Sequence, residues 1–345
     1  MASDAEFMTE AIELSRLGFP APNPRVGAVV VSNGEIVGRG FHEMVGMPHA
    51  EVVALQDARE RARGGSLYVT LEPCDHHGRT PPCTEAILAA GIGRVVFANR
   101  DLNPEASGGE EKLRAAGVAV EHVPSAEAAE INRVFEGRWR LGRPYVVAKA
   151  AISLDGLIAD EAGESKWITG EDARVRAHEL RAELGCVLVG AETALRDNPS
   201  LTCRDAAGRV HLRVVLDPRR RLPDDLDLFV TDDVLTLRFV GENPAEADVA
   251  VPFLETGALD LRAVLDEIGG RGMIGVLVEG GGRTIGEFFR QGLVDEVELH
   301  VAPKALGGGV GWLREPKGLA EAWRFEGIRC ESLGDGLVNR AKVAR

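Results

Sequence analysis

Short apolar runs alternate with amphipathic segments along the whole chain, and the alternation is interrupted once, at Gly142-Arg143-Pro144. Alternating strand and helix patterns predict α/β units. The interruption follows a predicted helix over 126–141 and precedes a predicted strand over 145–153, and Gly and Pro are the usual helix-ending residues. At 345 residues the chain is long enough for two domains that each bury a core. We therefore predict an α/β protein with domains 1–144 and 145–345.

The predicted elements follow from apolar spacing and from turn residues. An amphipathic helix over 3–17 precedes two short strands that flank Asn33-Gly34, a dipeptide typical of tight hairpins. In the rest of the first half, predicted helices cover 49–61, 83–90 and 110–116, and predicted strands cover 66–70, 94–98 and 119–123. In the second half, predicted helices cover 171–184 and 280–291, and predicted strands cover 186–190, 212–216, 275–279 and 296–301.

Charge and composition exclude several classes of protein. The chain carries 40 Lys and Arg residues against 54 Asp and Glu residues, a formal net charge of −14. Both halves are acidic, so neither offers the basic surface that nucleic-acid binding requires. No apolar run approaches the ~20 residues of a membrane span, and the first residues are acidic where a secretion signal is basic. Five cysteines, an odd number, argue against a disulfide framework. We expect a cytoplasmic protein with no nucleic-acid or membrane partner.

The strongest chemical signal is one histidine and two cysteines in the first half. His49 lies at the start of a predicted helix, and Cys74 and Cys83 each follow a proline at or near the start of another. Two thiolates and an imidazole suit Zn²⁺, and three protein ligands leave a fourth position for water, as in catalytic sites. Glu51 is close enough in sequence to exchange protons with that water without binding the metal. This pattern is the signature of zinc-dependent nucleobase deaminases.

The spacing of the two cysteines departs from the usual pattern. Eight residues separate Cys74 from Cys83, where nucleobase deaminases commonly have two. The extra residues must form a loop beside the metal. Because this loop carries His76 and Arg79, we expect it to recognise an anionic group of the substrate.

The residues of the second half alone leave alternatives open. The predicted strand over 275–279 runs into Gly280-Gly-Gly282, which suits backbone contact with a phosphate but is equally compatible with a plain tight turn. Lys149 could be a surface lysine of a strand, and Trp167 could belong to the core. Arg219-Arg220-Arg221 could approach a 2′-phosphate or form a solvated turn.

The motifs together closely resemble one family, the bifunctional deaminase/reductases of riboflavin biosynthesis. The resemblance covers nearly the whole chain and rests on these segments: Pro22-Asn-Pro-Arg-Val-Gly27, His49-Ala-Glu51, Thr70-Leu-Glu-Pro-Cys74, His76-His-Gly-Arg-Thr-Pro-Pro-Cys83, Ile152-Ser-Leu-Asp-Gly156, Gly163-Glu-Ser-Lys-Trp-Ile-Thr169, Asp197-Asn-Pro-Ser-Leu-Thr202 and Val278-Glu-Gly-Gly281. Two departures are Asp75, where a serine is more usual, and Cys203, where relatives have an aliphatic residue.

The resemblance implies a fold, cofactors and a reaction. The first domain would be a cytidine-deaminase-like α/β/α sandwich that uses Zn²⁺ to deaminate 2,5-diamino-6-ribosylamino-4(3H)-pyrimidinone 5′-phosphate. The second would be a dihydrofolate-reductase-like α/β domain that uses NADPH to give 5-amino-6-(5-phospho-ribitylamino)uracil. The partner would be this phosphorylated pyrimidine, and the protein would be a homo-oligomer, a dimer or a tetramer.

The resemblance also implies a set of site residues. The metal ligands would be His49, Cys74 and Cys83, and the catalytic residue of the deaminase would be Glu51. Because the aminosugar must open before it can accept a hydride, we assign the accompanying proton movements to Lys149 and Glu279 as catalytic residues. The cofactor would contact Ser153, Trp167, Thr193, Asp197, Gly281 and Gly282. The substrates would contact Asn23, His42, His76 and Arg79 in the first domain, and Ser165, Arg181, Leu201, Arg204 and Glu279 in the second.

Two other functions share part of the pattern. A tRNA adenosine deaminase fused to a nucleotide-binding domain would also carry the histidine, the glutamate and the cysteines, but the acidic chain argues against it. A binding protein with a structural zinc would not need Glu51, which is present.

Overall fold

A computed structural model describes residues 3–78, 81–204, 207–231 and 234–344. The chain divides into two compact units, Met1–Gly142 and Arg143–Arg345. Both units alternate helices with strands, so the α/β prediction is confirmed. Among the described residues, no helix is both long enough and apolar enough to cross a membrane.

The first unit contains six helices and five strands among its described residues, with one short 3₁₀ segment at Arg59–Ala62. In chain order they are α1 (Asp4–Ser15), β1 (Gly27–Ser32), β2 (Glu35–Phe41), α2 (Ala50–Ala58), β3 (Ser66–Leu71), α3 (Cys83–Ala90), β4 (Arg94–Asn99), α4 (Gly109–Ala115), β5 (Ala119–His122), α5 (Ala126–Ile131) and α6 (Arg133–Leu141).

These strands form one sheet in the order β2-β1-β3-β4-β5. The predicted hairpin is present, since β1 and β2 pair antiparallel with Ser32 opposite Glu35. Alternate residues of β1 enter different cores. Ala28 and Val30 pack with α2 and α3, whereas Val29 and Val31 pack with α1. Helices therefore cover both faces of the sheet, which is an α/β/α sandwich.

The single helix predicted over 126–141 is wrong, because the chain forms two helices separated by Asn132. The side-chain amide of Asn132 makes two hydrogen bonds to the backbone of Arg25. Its Oδ1 accepts from Arg25 N at 2.8 Å, and its Nδ2 donates to Arg25 O at 2.8 Å. These bonds satisfy main-chain groups of the segment before β1 that would otherwise be left unpaired. The backbone at Asn132 leaves the helical range, with φ −98° and ψ 18°.

The second unit continues the numbering. Its elements are β6 (Tyr145–Ile152), β7 (Leu157–Ala159), α7 (Glu171–Leu184), β8 (Cys186–Gly190), α8 (Ala191–Asp197), β9 (Leu212–Leu216), α9 (Asp227–Val230), β10 (Leu235–Val240), β11 (Val249–Ala250), α10 (Leu261–Gly270), β12 (Gly275–Val278), α11 (Gly282–Arg290), β13 (Glu296–Val301), β14 (Val310–Gly311), β15 (Phe325–Leu333) and β16 (Gly336–Val343).

Nine of these strands form one sheet in the order β11-β10-β9-β8-β12-β6-β13-β16-β15, and β7 pairs with β14 separately. The strands from β11 to β13 are parallel, and β16 and β15 are antiparallel additions at one edge. One face of the sheet packs on α10 and α11 through Val146, Ala148, Val276 and Val297 among others. Parallel strands of this kind place their carboxyl ends at one edge, where ligands commonly bind.

Candidate active sites

The first site brings three predicted metal ligands together. The Nδ1 atom of His49 lies 3.2 Å from the Cys83 sulfur and 3.5 Å from the Cys74 sulfur. All three candidate ligand atoms lie within 4.8 Å of one another. Metal–ligand bonds of about 2.0–2.3 Å in a tetrahedral arrangement separate such atoms by about 3.5 Å. The donor set and its spacing therefore fit Zn²⁺.

Local structure explains why these side chains converge. His49 is the N-cap residue of α2, and Cys83 is the first residue of α3. Cys74 lies three residues beyond the end of β3, where the Cys83 backbone N–H donates to its sulfur at 3.4 Å. The hydrogen bond from the Cys83 side chain, aided by His49, lowers the pKa of Cys74 to about 4 despite burial. Cys74 is thus a thiolate at neutral pH, the form that binds metal.

Glu51 lies beside these ligands, on the first turn of α2. Its side chain is buried, and the residue is only 4% exposed. Burial, together with the negative charge of Cys74, raises the pKa of Glu51 to about 7. A carboxyl group with a pKa near neutrality can both accept and donate a proton under ordinary conditions, which is what a general acid–base requires.

His42 and Asn23 form a hydrogen-bonded pair at the same site. The Pro48 carbonyl lies 3.1 Å from His42 Nδ1 and can only accept, so Nδ1 carries the hydrogen. The other ring nitrogen, Nε2, then accepts from the Asn23 amide at 3.0 Å. Burial and the neighbouring His49 lower the pKa of His42 to about 4, so the ring is neutral. The hydrogen-bonded pair is therefore a fixed and uncharged part of the site.

Asn23, His42, His49, Glu51 and Cys74 line one cavity of about 360 Å³. His76, also predicted from the sequence, lines it as well, and its buried Nδ1 has no hydrogen-bond partner among the described residues. Such an atom is available to a ligand. Arg79, the other predicted loop residue, lies outside the described residues.

Sequence patterns do not predict Asp101 and Asn103, which are polar residues that line this cavity. Burial raises the pKa of Asp101 to about 6, and the Asn103 N–H donates to its carboxylate at 2.8 Å. The buried Glu72 carboxylate holds this segment by accepting from the backbone of Asp101, Gly108 and Glu110. The signal that could have revealed them is their position just after β4, at the carboxyl end of a parallel strand.

The loop between the two cysteines is anchored by Asp75. Its carboxylate accepts from the Thr84 hydroxyl at 2.7 Å and from Lys112 Nζ at 2.6 Å. Burial opposes its charge, but these two bonds outweigh that effect and lower the pKa of Asp75. The residue that follows Cys74 is thereby connected to the residue that follows Cys83.

In the second unit, two glycine-led helices meet at the carboxyl edge of the sheet. The Gly190 N–H, just before α8, donates to Gly280 O at 3.0 Å. A Cβ atom at Gly190 would lie 2.2 Å from Thr284 Oγ1, so a larger residue here would have to displace that side chain. The first intrahelical bond of α11 runs from Ile285 N–H to Gly281 O, which leaves the N–H groups of 282–284 without partners within the helix. These groups fit a cofactor phosphate.

The predicted cofactor residues lie near this turn or on the loops beside it. A Cβ atom built at Gly281 would approach Thr193 Oγ1 to 3.4 Å. Asp197 ends α8, and Ser165, predicted as a substrate contact, hydrogen-bonds to it. Trp167 is 68% exposed, which excludes the core alternative, and the Arg174 guanidinium lies 4.6 Å from its ring centre.

The other predicted residues of this unit have varied surroundings. Ser153 is buried and donates to the Asp155 carboxylate in the turn after β6. Leu201 is buried, with a positive φ of 51°, and Arg204 is exposed. In the arginine turn, Arg220 pairs with Asp248, whereas Arg219 and Arg221 are exposed, so both alternatives for that turn remain compatible with the structure.

Three of the charged residues predicted for the reductase form one cluster. Arg181 on α7 donates to both carboxylate oxygens of Glu279, from Nε at 2.5 Å and from Nη2 at 2.8 Å. The same arginine donates to Thr202 O at 2.8 Å. Lys149 on β6 interacts electrostatically with Glu279 and with Arg181, and burial lowers its pKa. In this arrangement Arg181 directly orients Glu279.

Comparisons with known proteins agree with both sites. A family model described as the cytidine and deoxycytidylate deaminase zinc-binding region matches residues 1–99, and the RibD C-terminal domain matches residues 144–339. The riboflavin biosynthesis protein RibD of Aquifex aeolicus is 41% identical over 97% of each chain. The RibD protein of Escherichia coli is 38% identical over 94% of this chain and 96% of that one.

Solved structures show the same similarity. Acinetobacter baumannii RibD superposes with a TM-score of 0.88 at 34% identity and covers 99% of both chains. The Thermotoga maritima diaminohydroxyphosphoribosylaminopyrimidine deaminase/5-amino-6-(5-phosphoribosylamino)uracil reductase superposes with a TM-score of 0.86 at 37% identity, covering 98% of both chains.

The fold and the two sites define a bifunctional enzyme, a zinc-dependent deaminase joined to an NADPH-dependent reductase. The chain belongs to the RibD family of riboflavin biosynthesis proteins. The predicted family, fold class, cofactors and bifunctional activity are thus confirmed. The tRNA deaminase alternative is not supported, because the similarity to RibD proteins extends over both units.

Proposed function

We propose that the first unit deaminates 2,5-diamino-6-ribosylamino-4(3H)-pyrimidinone 5′-phosphate and that the second reduces the product with NADPH to 5-amino-6-(5-phospho-ribitylamino)uracil. The observation that carries this proposal is the buried Glu51 beside the His49, Cys74 and Cys83 ligand set, within a cavity large enough for a pyrimidine nucleotide. The activity in the name of the Thermotoga maritima relative supports the choice of substrate.

In the deaminase unit, bound zinc would supply a water of lowered pKa in its fourth coordination position. Glu51, with its pKa near 7, takes a proton from the nucleophile and passes it to the leaving amino group, which departs as ammonia. Asn23, oriented by its hydrogen bond to the neutral His42, holds the ring edge, and His76 offers its unpartnered Nδ1 to the substrate. We assign Asp101 and Asn103 to the same cavity wall.

In the reductase unit, NADPH would supply a hydride to C1′ of the sugar. The C1′–O4′ bond must break first, as the exocyclic nitrogen forms a double bond to C1′ and O4′ takes up a proton. Lys149 as an ammonium group donates that proton, and Glu279, oriented by Arg181, holds the sugar hydroxyls. Overall, one hydride and one proton enter the substrate, and the lysine regains its proton from solvent.

The decisive experiment follows the two reactions separately on the intact enzyme. Before NADPH is added, the diaminopyrimidine phosphate should release one equivalent of ammonia. Addition of NADPH should then consume one equivalent of cofactor. Oxidation of NADPH without prior ammonia release would contradict the proposed order, and absence of both would contradict the substrate.

We also propose that the enzyme is a cytoplasmic homo-oligomer. The support is the β15–β16 hairpin, in which every residue of β15 from Glu326 to Ser332 is exposed, including Ile328 at 69%. Strand β15 is the outer edge of the nine-stranded sheet, and a long exposed edge strand is a template for pairing with another chain, here a second copy. Light scattering after size-exclusion chromatography should give two or four times the chain mass of 36.9 kDa, and the mass of a single chain would contradict the proposal.

A further inference from the structure

Strand β13 carries an unusual column of buried polar side chains. Glu296, Glu298 and His300 alternate along one face, and none of the three has any exposed surface. The residues on the opposite face, Val297 and Val301, belong to the apolar core. Polar residues at fully buried strand positions are costly unless they are paired, and they occur most often where a site needs them.

The register of the sheet places Glu298 directly beside Lys149. Glu298 pairs with Lys149 on β6 and with Arg340 on β16, and paired residues of neighbouring strands share a face. Glu279 follows β12 on the other side of Lys149. The lysine therefore lies between two carboxylates on adjacent strands, one of which already has a proposed role in the reaction.

Each carboxylate is held by an arginine of α7. Arg176 donates to Glu298 from Nε at 3.0 Å and from Nη2 at 3.1 Å, and Arg340 adds a bond from its own Nε at 3.2 Å. This repeats the way in which Arg181 holds Glu279, five residues further along the same helix. Two carboxylates fixed in this way form a rigid electrostatic frame around one lysine.

His300 completes the surroundings without adding a positive charge. Its Nε2 lies 3.0 Å from Glu298 Oε1, and because a carboxylate only accepts, Nε2 carries the hydrogen. Burial lowers the pKa of His300, which keeps the ring neutral, and Nδ1 has no partner among the described residues. His300 therefore does not offset the negative charge that Glu298 presents to Lys149.

The charges around Lys149 act in opposite directions. Burial is the largest influence and lowers the pKa of Lys149, and Arg181 acts in the same direction. The carboxylates of Glu279 and Glu298 oppose it. The charged and titratable groups that face this cluster from the neighbouring elements are Glu279 after β12, Glu298 and His300 on β13, Arg340 on β16, and Arg176, His178, Arg181 and Glu183 on α7.

We propose that Glu298, held by Arg176 and Arg340, is a positioning residue of the reductase that keeps Lys149 in its ammonium form and in place to protonate the sugar oxygen. This inference rests on the proposed role of Lys149. Glu298 itself need not touch the substrate, since it acts through its neighbour on β6.

The test is the pH profile of reductase kcat/KM, measured on the intact enzyme with deaminated substrate and NADPH. Glu298→Gln removes the charge and keeps the size, so the alkaline limb should move down by about 1 pH unit, the effect of losing one nearby partly screened charge. Arg176→Met removes a positive charge from the same cluster, so the limb should move up.

The matched control is Glu296→Gln, on the same strand and face, equally buried, and opposite Val147 instead of Lys149. Its alkaline limb should coincide with that of the parent, even if its thermal midpoint falls. A purely structural role would lower activity at every pH without these opposite shifts. If Glu298→Gln does not fold, Glu298→Asp decides the question. It keeps the charge but shortens the side chain and so loosens its contacts with Arg176 and Arg340, and its alkaline limb should still move down, whereas an unmoved limb would overturn the proposal.

Two failures are distinguishable. If Lys149→Met retains parental reductase activity, the proposed role of the lysine is wrong. If Lys149→Met is inactive with unchanged NADPH affinity, but the profiles of Glu298→Gln and Arg176→Met coincide with the parent, only the role of Glu298 is overturned.

Discussion

Arg181 donates two parallel hydrogen bonds to the carboxylate of Glu279, which lies 98 positions further along the chain. Burial alone would raise the pKa of the carboxyl group, but the charge and bonds of Arg181 outweigh it and lower the pKa of Glu279 to about 2. The ordinary value is 4.5. The pair therefore stabilises the fold fully above about pH 4.5, and this contribution is lost as the pH falls towards 2.

The first prediction concerns acid stability. The difference between the two pKa values corresponds to a contribution on the order of 3 kcal/mol. The thermal midpoint of the parent should fall between pH 5 and 2.5, and it should fall less steeply in Glu279→Gln, which has no charge to lose. The exposed Glu255→Gln is the control and should follow the parent. Parallel slopes for all three proteins would contradict the assignment.

The second prediction separates the metal from its acid–base partner. Glu51→Gln should retain zinc and full reductase activity on supplied deaminated substrate, while deamination falls by at least ~100-fold, because the base is gone and the ligands remain. Cys74→Ser should lose both metal and deamination. Zinc content by atomic absorption and ammonia release distinguish them. Near-parental deamination by the Gln variant would rule out Glu51 as the base.

The third prediction uses two adjacent glycines as a matched pair. A Cβ atom at Gly281 has ordinary contacts, 3.4 Å to Thr193 Oγ1, whereas one at Gly282 would lie 2.3 Å from Gly311 O. Gly281→Val should fold but bind NADPH at least ~10-fold more weakly, which is a loss of about 1.4 kcal/mol of binding free energy. The valine side chain would fill the space through which the cofactor comes close to the backbone. Gly282→Ala should instead destabilise the protein. Unchanged NADPH affinity in folded Gly281→Val would remove this turn from the site.

The fourth prediction is that the activities are separable. The first unit has apolar cores of its own on both faces of its sheet. A fragment of residues 1–144 should fold, bind one zinc and deaminate in the absence of NADPH. A fragment that folds with zinc but never releases ammonia would show that the deaminase requires the rest of the chain.

Sequence patterns were sufficient to predict the helices and strands that bury one face or both faces. The hairpin at Asn33-Gly34, the helix over 171–184 and the zinc ligands all follow from local signals. The split at Asn132 could not be predicted, because its cause is a bond to Arg25, 107 residues away. The position of Glu298 beside Lys149 could not be predicted either, since register between β6 and β13 is set by packing and not by either strand alone.

The C-terminal hairpin was missed for a different reason. Strand β15 contains Gly327, Arg329, Cys330 and Glu331 and lacks clean apolar alternation, because none of its central residues faces a core in this chain. Hydrophobic periodicity reports burial, so a strand that is exposed along its length gives no such signal. Asp101 and Asn103 lacked a motif, but the position of a loop after a parallel strand would have been sufficient reason to consider them.

The two bonds between Asn132 and Arg25 also set how short an autonomous deaminase can be. The zinc-binding family match ends at residue 99, yet the segment that carries Asn23 into the cavity is braced by an amide 33 positions beyond that limit. A fragment trimmed to the matched region would keep every metal ligand but would lose Asn132, which holds the segment that carries Asn23. Minimal versions for engineering or for fusion to other modules should therefore retain the chain through α6.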